Sequence, residues 1–475
     1  MYFKAGILSL LVVTSLAFGE GVEGSKPPNV LFVMVDDLRV ELGAYGGEHV
    51  LSPNIDELAG QGTRFANAYV SVPVCGASRA SLFTGMRATP DRFTNYYTWV
   101  EKDAPDATTI FEEFKNNGYH TVGYGKIFHQ TQDTASRSWS KNNAWTADHD
   151  QKPALKTGWR DYQRPENIAE FKETKRGPST EMVDGPDDIY FDGKVANKAI
   201  DTLATLAKTK QPFLLAVGFV KPHLPFNAPK KYWDLYDAQQ FELPEAALPK
   251  AAPKQAYHHF GELRAYSDTP EAPQPVGPEQ ARRLVHGYHA AVSYADAQVG
   301  KVLDQLDALG LSDNTIVILM GDHGYSLGEH GLWCKHSTFD VATKTPLIIR
   351  APDMPANQTI EGLVEFIDVF PTLTELAGIE TPAQAAGMSL VPLLNDASQP
   401  ARSAVFPRYH AAEAIHTSEY TLTQWFGNNG RAFAEMLYDN KNDPDETRNL
   451  AKLPEYKNVL NDLKTQLADH MKTRR

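Results

Sequence analysis

Four apolar runs in this chain each stop at residues with chemistry to offer, and that pattern limits the fold more than any other feature. NVLFVMV (29–35) is followed by Asp36 and Asp37. HTVGYG (120–125) is followed by Lys126, with His129 just beyond. PFLLAVGFV (212–220) runs into Lys221-Pro222-His223, and TIVILM (315–320) into Gly321-Asp322-His323. The first run is apolar without alternation, the mark of a strand buried on both faces. Helical stretches lie between these runs: PNIDELAGQG (53–62), TIFEEFKNNG (109–118), GKVANKAIDTLATLAK (193–208), and a long one from near Pro278 to Leu309. Several close on glycine, as helix C-termini commonly do. Strands alternating with helices predict an α/β fold whose mostly parallel central sheet is flanked by helices. Ligands of such sheets sit outside the carboxyl ends of the strands. Asp36, Asp37, Lys126, His129, His223, Asp322 and His323 are therefore expected to meet on one edge.

The pattern changes near residue 396. Asn395 to Pro400 reads as a linker, followed by short strand-like pieces, SAVFPR (403–408) and EYTLTQW (419–425), a turn at GNNG (427–430), and a helix from near Pro454 to Met471. The expected organisation is a main domain over 25–395 and a smaller C-terminal α+β subdomain over 396–475. Residues 1–24 carry Lys4, an apolar run from Ala5 to Phe18, and small residues such as Ala17 and Gly19. This is a secretory signal pattern, and the run is short for a membrane span. With no other apolar stretch long enough to span a bilayer, the chain reads as exported, periplasmic or secreted.

A net charge of −13 makes the chain a poor partner for nucleic acid, whose binding depends on neutralising phosphates. An anionic ligand would need local cations or a metal to attract it against that field. Asp36-Asp37 and Asp322-His323 offer donors for a hard cation, although either pair alone could equally start a loop or cap a helix. Lys126, His129, His223 and Lys335 could each be solvated surface groups, and His330 and His336 compete for any histidine role. Taken together they place positive charge beside the expected metal, as an oxyanion substrate requires. Cys75 is one of only two cysteines. It could be a small buried hydrophobe, a disulfide partner of Cys334, or a reactive group. If SRASLFTG (78–85) is a helix opened by Ser78, Cys75 sits at its positive end, with Arg79 in reach as a bidentate partner for an oxyanion.

The run Cys75-Gly76-Ala77-Ser78-Arg79, continuing Ala80-Ser81-Leu82-Phe83-Thr84-Gly85, resembles the signature of the type I sulfatases. VDDLR (35–39) resembles that family's first metal motif, GYGKIFH (123–129) its lysine-histidine segment, and KPHLPF (221–226) and GDHGYSLGEHGLWCKHS (321–337) its later motifs. LYDNKNDPDETRNLA (437–451) resembles its C-terminal signature. Within the family, KPHLPF together with GYGKIFH is most similar to the iduronate-2-sulfatases and their bacterial polysaccharide-sulfatase relatives. The third signature position, most often proline, is Ala77 here, which leaves open which maturation enzyme handles the chain.

The resemblance implies an alkaline-phosphatase-like fold and a sulfuric ester hydrolase. It implies that Cys75 is converted to formylglycine (3-oxoalanine) by a maturation enzyme, and that Ca²⁺ is held by Asp36, Asp37, Asp322, His323 and the converted Cys75. The hydrated aldehyde would attack sulfur with Asp322 accepting its proton. Arg79, Lys126 and Lys335 would offset charge on the sulfate. His223, with Lys335, would protonate the leaving sugar oxygen. The second hydroxyl would then lose its proton near Arg79 and His129, releasing sulfate. The expected substrate is a sulfated oligo- or polysaccharide, a glycosaminoglycan or an algal polymer such as ulvan or carrageenan, attacked in exo or endo mode. Its pocket walls are expected in loops over 130–190, 240–275 and 408–427, with Tyr96, Tyr97, Trp99 and His410 as lining residues. Two rival readings follow the same residues: a phosphonate or phosphodiester hydrolase, and a catalytically silent glycan-binding relative.

Overall fold

The computed structural model describes residues 26–140 and 158–474; the expected signal segment at 1–24 lies outside them. Seven strands, β1 (Asn29–Val35), β2 (Thr63–Tyr69), β3 (His120–Gly125), β4 (Phe213–Phe219), β5 (Thr315–Gly321), β6 (Leu347–Arg350) and β7 (Gln358–Glu365), form one sheet in the order β7-β2-β6-β5-β1-β4-β3. β6 alone runs against its neighbours, so the sheet is mostly parallel. The sequence reading anticipated β1, β3, β4 and β5. It missed β2, β6 and β7, which build the other half.

β1 is central, and its alternating side chains feed two separate cores. Leu31, Val33 and Val35 pack with α1 (Pro53–Gln61), α4 (Phe191–Leu206) and α5 (Pro278–Ala308). Val30, Phe32 and Met34 face α2 (Cys75–Thr84), α3 (Ile110–Asn116) and α6 (Val369–Leu376). A strand covered on both faces cannot afford polar side chains, which is why NVLFVMV lacks them. Local signals set the helix starts. Pro53 and Pro278 stand in the first turns of α1 and α5, where no intrahelical N–H is needed. The Thr109 hydroxyl accepts the Glu112 N–H at 3.3 Å to cap α3.

The registers bring the strand ends level. Val35 lies opposite Phe219 on one side and Gly321 on the other, and Gly125 lies opposite Gly218. That last approach requires glycine twice. Gly125 adopts φ +72°, where a Cβ would lie 1.9 Å from the Gly218 carbonyl oxygen, and a Cβ on Gly218 would lie 2.2 Å from that of Lys126. Lys126 therefore leaves β3 hard against the end of β4.

The C-terminal subdomain is an antiparallel sheet of β8 (Ala404–Val405), β9 (Arg408–Tyr409), β10 (Ala412–Thr417), β11 (Tyr420–Phe426) and β12 (Ala432–Asp439). α7 (Lys457–Thr473) lays Leu460, Leu463 and Leu467 on Ile415, Leu422 and Leu437, the one-sided apolar stripe that helical spacing produces.

Candidate active site

Residues just past the ends of β1 and β5 meet the start of α2 in a fully buried cluster. The Asp36 N–H continues the ladder to the Phe219 carbonyl at 3.1 Å. Asp37 turns away in a left-handed conformation, φ +59°, one that aspartate tolerates better than most residues. Its N–H donates to Asp322 Oδ1 at 3.0 Å. His323 Nδ1 lies 2.9 Å from the Gly324 carbonyl, which leaves Nε2 facing inward. That nitrogen stands 3.2 Å from Cys75 Sγ, 3.4 Å from Asp37 Oδ1 and 3.7 Å from Asp322 Oδ1. Cys75 Sγ is itself 3.9 Å from Asp37 Oδ1.

Helix α2 begins at Cys75, not at Ser78. Val74 precedes it in extended backbone, with no side-chain cap. The Ser78 hydroxyl donates instead to the Asp322 carbonyl at 2.5 Å, tying the first turn of α2 to the end of β5. Gly76 permits the close packing of that turn, since a Cβ there would lie 2.7 Å from the Tyr96 carbonyl. Both cysteines are free thiols, so the disulfide reading is excluded: Cys75 sits in the cluster, while Cys334 Sγ accepts from the Tyr325 hydroxyl at 3.5 Å. Burial, with the Asp36 charge behind it, pushes the Cys75 thiol well above its ordinary pKa. A buried neutral thiol is a poor nucleophile.

Arg79 is 1 % exposed and braces the cluster from below. Nε donates to Asp322 Oδ2 at 2.9 Å, Nη2 to Asp36 Oδ1 at 3.0 Å, and Nη1 to the carbonyls of Lys126 and Ile127. These donors are the partners Arg79 has within the protein, two carboxylates and two backbone carbonyls. Lys126 pairs with Asp36. Burial alone would raise the Asp36 pKa, but Lys126, His223 and Arg79 outweigh it and hold it well below the usual range. Lys335 Nζ donates to both Asp37 oxygens at 3.0 Å, yet burial still raises the Asp37 pKa. His129 is kept neutral by burial and the nearby Lys126 charge, and its Nδ1 is buried without a hydrogen-bond partner.

One residue of this network escaped the sequence reading. Glu262 Oε1 accepts from Lys335 Nζ at 2.7 Å and lies 2.9 Å from His223 Nε2. His223 Nδ1 is 2.6 Å from the Leu224 carbonyl, so both ring nitrogens face oxygen. Lys221 supports this loop from beneath, donating to the carbonyls of His223 and Pro225 at 2.9 and 2.7 Å. Burial draws the Lys221 pKa down to about 8.

Above the cluster opens a cavity of about 650 Å³. Cys75, Lys126, His129, His223, Glu262 and Lys335 line its floor, and Tyr96, Trp159, Arg160 and Tyr266 rise in its walls. The loops over 130–190 and 240–275 supply Trp159, Arg160 and Tyr266, and Tyr96 comes from outside them; among the described residues, 408–427 supplies none. Tyr97 is exposed and stacks on Tyr96 at 3.9 Å. Trp99 carries Lys102 over its ring at 4.2 Å, and His410 packs against Tyr409 at 4.3 Å. None of these three lines the cavity. Nor does His330, which stacks on Phe339 at 4.1 Å, whereas His336 does.

The donor set fits a hard divalent cation. Ligand atoms of Asp36, Asp37, Cys75 and His223 lie within 4.8 Å of one another, as do those of Cys75, Asp322 and His323. The two groups share Cys75, and three carboxylates dominate them, an oxygen-rich set of the kind calcium or magnesium takes.

The family model described as "Sulfatase" matches residues 28–379. This chain belongs to the sulfatase family. It is a sulfuric ester hydrolase, and a second model, "N-sulphoglucosamine sulphohydrolase, C-terminal", matches 328–473. Human iduronate 2-sulfatase is 35 % identical over 402 residues, covering 74 % of this sulfatase and 70 % of the human chain. A solved structure of a protein in complex with its substrate D-glucosamine-2-N,6-O-disulfate superposes with a TM-score of 0.72 at 22 % identity, covering 94 % of this chain and 98 % of that one. A phosphonate monoester hydrolase from Silicibacter pomeroyi superposes with a TM-score of 0.77 at 22 % identity, covering 94 % and 96 %. The fold of this sulfatase is thus the alkaline-phosphatase-like one, a mixed central sheet between helices with a C-terminal subdomain. None of its described helices is long and apolar enough to cross a membrane.

Proposed function

We propose that this sulfatase is exported and removes sulfate from a sulfated carbohydrate, using a formylglycine made from Cys75 and a calcium ion. The observation that carries the reading is the position of residue 75. It opens a buried helix at the convergence of Asp36, Asp37, Asp322 and His323, on the floor of the cavity. Asp36, Asp37, Asp322, His323 and the converted residue 75 would hold the metal. Calcium, when bound, acidifies an oxygen in contact with it and offsets sulfate charge. Formylglycine supplies an oxygen nucleophile that the high-pKa thiol does not.

The surrounding residues divide the remaining work. Asp322 reaches within 4.8 Å of the residue 75 side chain and accepts its proton. Lys126 and Lys335 present their ammonium groups to the sulfate oxygens, and Arg79 contributes charge while bracing Asp36 and Asp322. His223, on the cavity floor with Lys335, donates a proton to the leaving sugar oxygen. Neutral His129 also lines the cavity and serves as a base, its Nδ1, without a hydrogen-bond partner, taking the proton lost as sulfate departs. The lysines act through charge close to where negative charge develops, the arrangement that most lowers such barriers.

Support for a sugar substrate comes from human iduronate 2-sulfatase and from the neighbour solved with a glucosamine disulfate. Support for export comes from the charged start and apolar run within residues 1–24. The test is expression with a formylglycine-generating maturation enzyme, then peptide mass spectrometry over residues 72–87 and assays of sulfate release from defined sulfated oligosaccharides. An aldehyde at residue 75 with sulfate release is expected; an intact thiol together with no release sinks the reading. The likeness to a phosphonate monoester hydrolase supports a second reading, hydrolysis of phosphonate or phosphodiester bonds on the same scaffold. Parallel assays of an aryl sulfate and an aryl phosphate diester separate the two.

A further inference from the structure

We propose that Arg160 and Trp159 form a second anion subsite in the cavity, so that the substrate carries another acidic group, a carboxylate or a further sulfate, beside the ester that is cleaved. This rests on the sulfatase reading above and names the class of sugar it acts on.

The charges around the cavity are the starting point. Lys126 is paired with Asp36, and Lys335 with Asp37 and Glu262. His223 also leans on Glu262. Arg160 lines the same cavity, yet its guanidinium pairs with no carboxylate among the described residues. What holds it is aromatic: the guanidinium carbon sits 4.4 Å from the centre of the Trp159 ring and 4.9 Å from that of Phe171. Its backbone is anchored too, the carbonyl accepting from Asn227 Nδ2 at 2.7 Å. A guanidinium fixed against two rings keeps its planar fork of N–H donors in order before any ligand arrives. Such a fork matches a carboxylate or sulfate edge bidentately, and prior ordering lowers the entropy lost on binding.

Two further observations point to a ligand at this wall. Tyr266 lines the cavity and is 2 % exposed, and its hydroxyl is buried with no hydrogen-bond partner. Buried hydroxyls are rarely left in that state, and a bound polar group would satisfy it. Trp159 meets His223 edge-on at 5.2 Å between ring centres. The indole thus stands beside the group assigned to the leaving oxygen, where a sugar ring would lie against it. With a net charge of −13, the chain repels an acidic sugar at long range, and Arg160, with no carboxylate partner among the described residues, offsets that repulsion at the wall.

The test is competition against turnover of 4-nitrophenyl sulfate, which reads occupancy of the site whether or not the competitor is cleaved. The competitors are glucose 6-sulfate, D-glucosamine-2-N,6-O-disulfate and a disaccharide ending in a 2-O-sulfated uronate. In the wild type, at least one doubly anionic sugar should compete about 10- to 100-fold better than glucose 6-sulfate, the range of a charge-assisted contact. Whichever of the two does so tells sulfate from carboxylate. Arg160→Ala should erase that preference, and Arg160→Lys, which keeps the charge but not the fork, should keep part of it. The proposal is overturned if the wild type shows no preference, if Arg160→Ala leaves the preference intact, or if the loss falls equally on singly and doubly anionic sugars. If a protein carrying the aldehyde turns over no aryl sulfate, the sulfatase reading fails instead. Calorimetric titration of the same three sugars into wild type and Arg160→Ala then decides the subsite by itself.

Discussion

Replacing Arg79 with methionine asks how far the candidate metal site depends on one buried cation. The guanidinium is 1 % exposed, and the two carboxylates it holds, Asp36 and Asp322, are both 0 % exposed. Methionine keeps much of the volume and removes the charge. Breaking a buried pair typically costs about 3–5 kcal/mol, because the partner left behind is a buried, uncompensated charge. A chain of 475 residues has an unfolding entropy of roughly 1 kcal/mol per degree at about 2.1 cal/mol/K per residue. In a single cooperative transition the midpoint should therefore fall by about 3–5 °C. Calcium adds two positive charges beside the same carboxylates, so it should partly replace what the arginine supplied. At a hundred times its dissociation constant a ligand adds about 2.7 kcal/mol to the state that binds it, and the gain should be larger in the variant than in the wild type. Differential scanning calorimetry in EDTA and in saturating calcium measures both numbers. A gap that is the same in the two buffers, or a variant as stable as the wild type in EDTA, would refute the view that Arg79 and the metal share the task of neutralising these carboxylates.

Cys75→Ala should abolish turnover while changing the unfolding midpoint by no more than a degree or two, since a buried thiol is exchanged for a methyl at a cost of about 1 kcal/mol; residual turnover would remove residue 75 as the nucleophile. His223→Ala should hurt sugar sulfates more than activated aryl sulfates, because a good leaving group needs little protonation; kinetic losses of equal size on both would contradict its role as the acid. Burial works against ionisation of Glu41, but Arg39 and His289 hold its pKa down to about 2. An acid depressed in the folded state contributes stability that is present above its unfolded pKa of about 4.3 and is lost as pH falls toward 2. Glu41→Gln should therefore cost on the order of 2 kcal/mol at pH 7 and close to nothing near pH 2, and denaturant midpoints across that range would expose a pH-independent loss as a packing effect instead.

What could be read from the sequence was what the chain encodes locally. NVLFVMV announces a doubly covered strand because no position in it can face water, and the polar residues after it, after HTVGYG and after TIVILM mark strand ends. Parallel order then brings those ends together without any knowledge of register. β2 and β6 were invisible for the opposite reason. TRFANAY mixes polar and apolar residues because only part of it is buried, and LIIR is four residues long and antiparallel, with nothing around it to announce a strand. The start of α2 was misplaced because Ser78 is the residue type that normally caps a helix, while here its hydroxyl serves β5 and the backbone before Cys75 turns the chain with no side-chain cap. Glu262 lies in an irregular loop at the edge of a one-turn helix, where no periodicity marks it; only the folded chain puts its carboxylate between Lys335 and His223. The same holds for Arg160. In sequence it is one arginine among many, and it becomes notable only because folding pairs Lys126 and Lys335 on the cavity floor with carboxylates and sets this guanidinium against two aromatic rings. Asp36, Asp37, Lys126, Asp322 and His323 directly follow strands and can be found in advance, whereas Arg160 and Glu262 are defined by which partners the fold gives them.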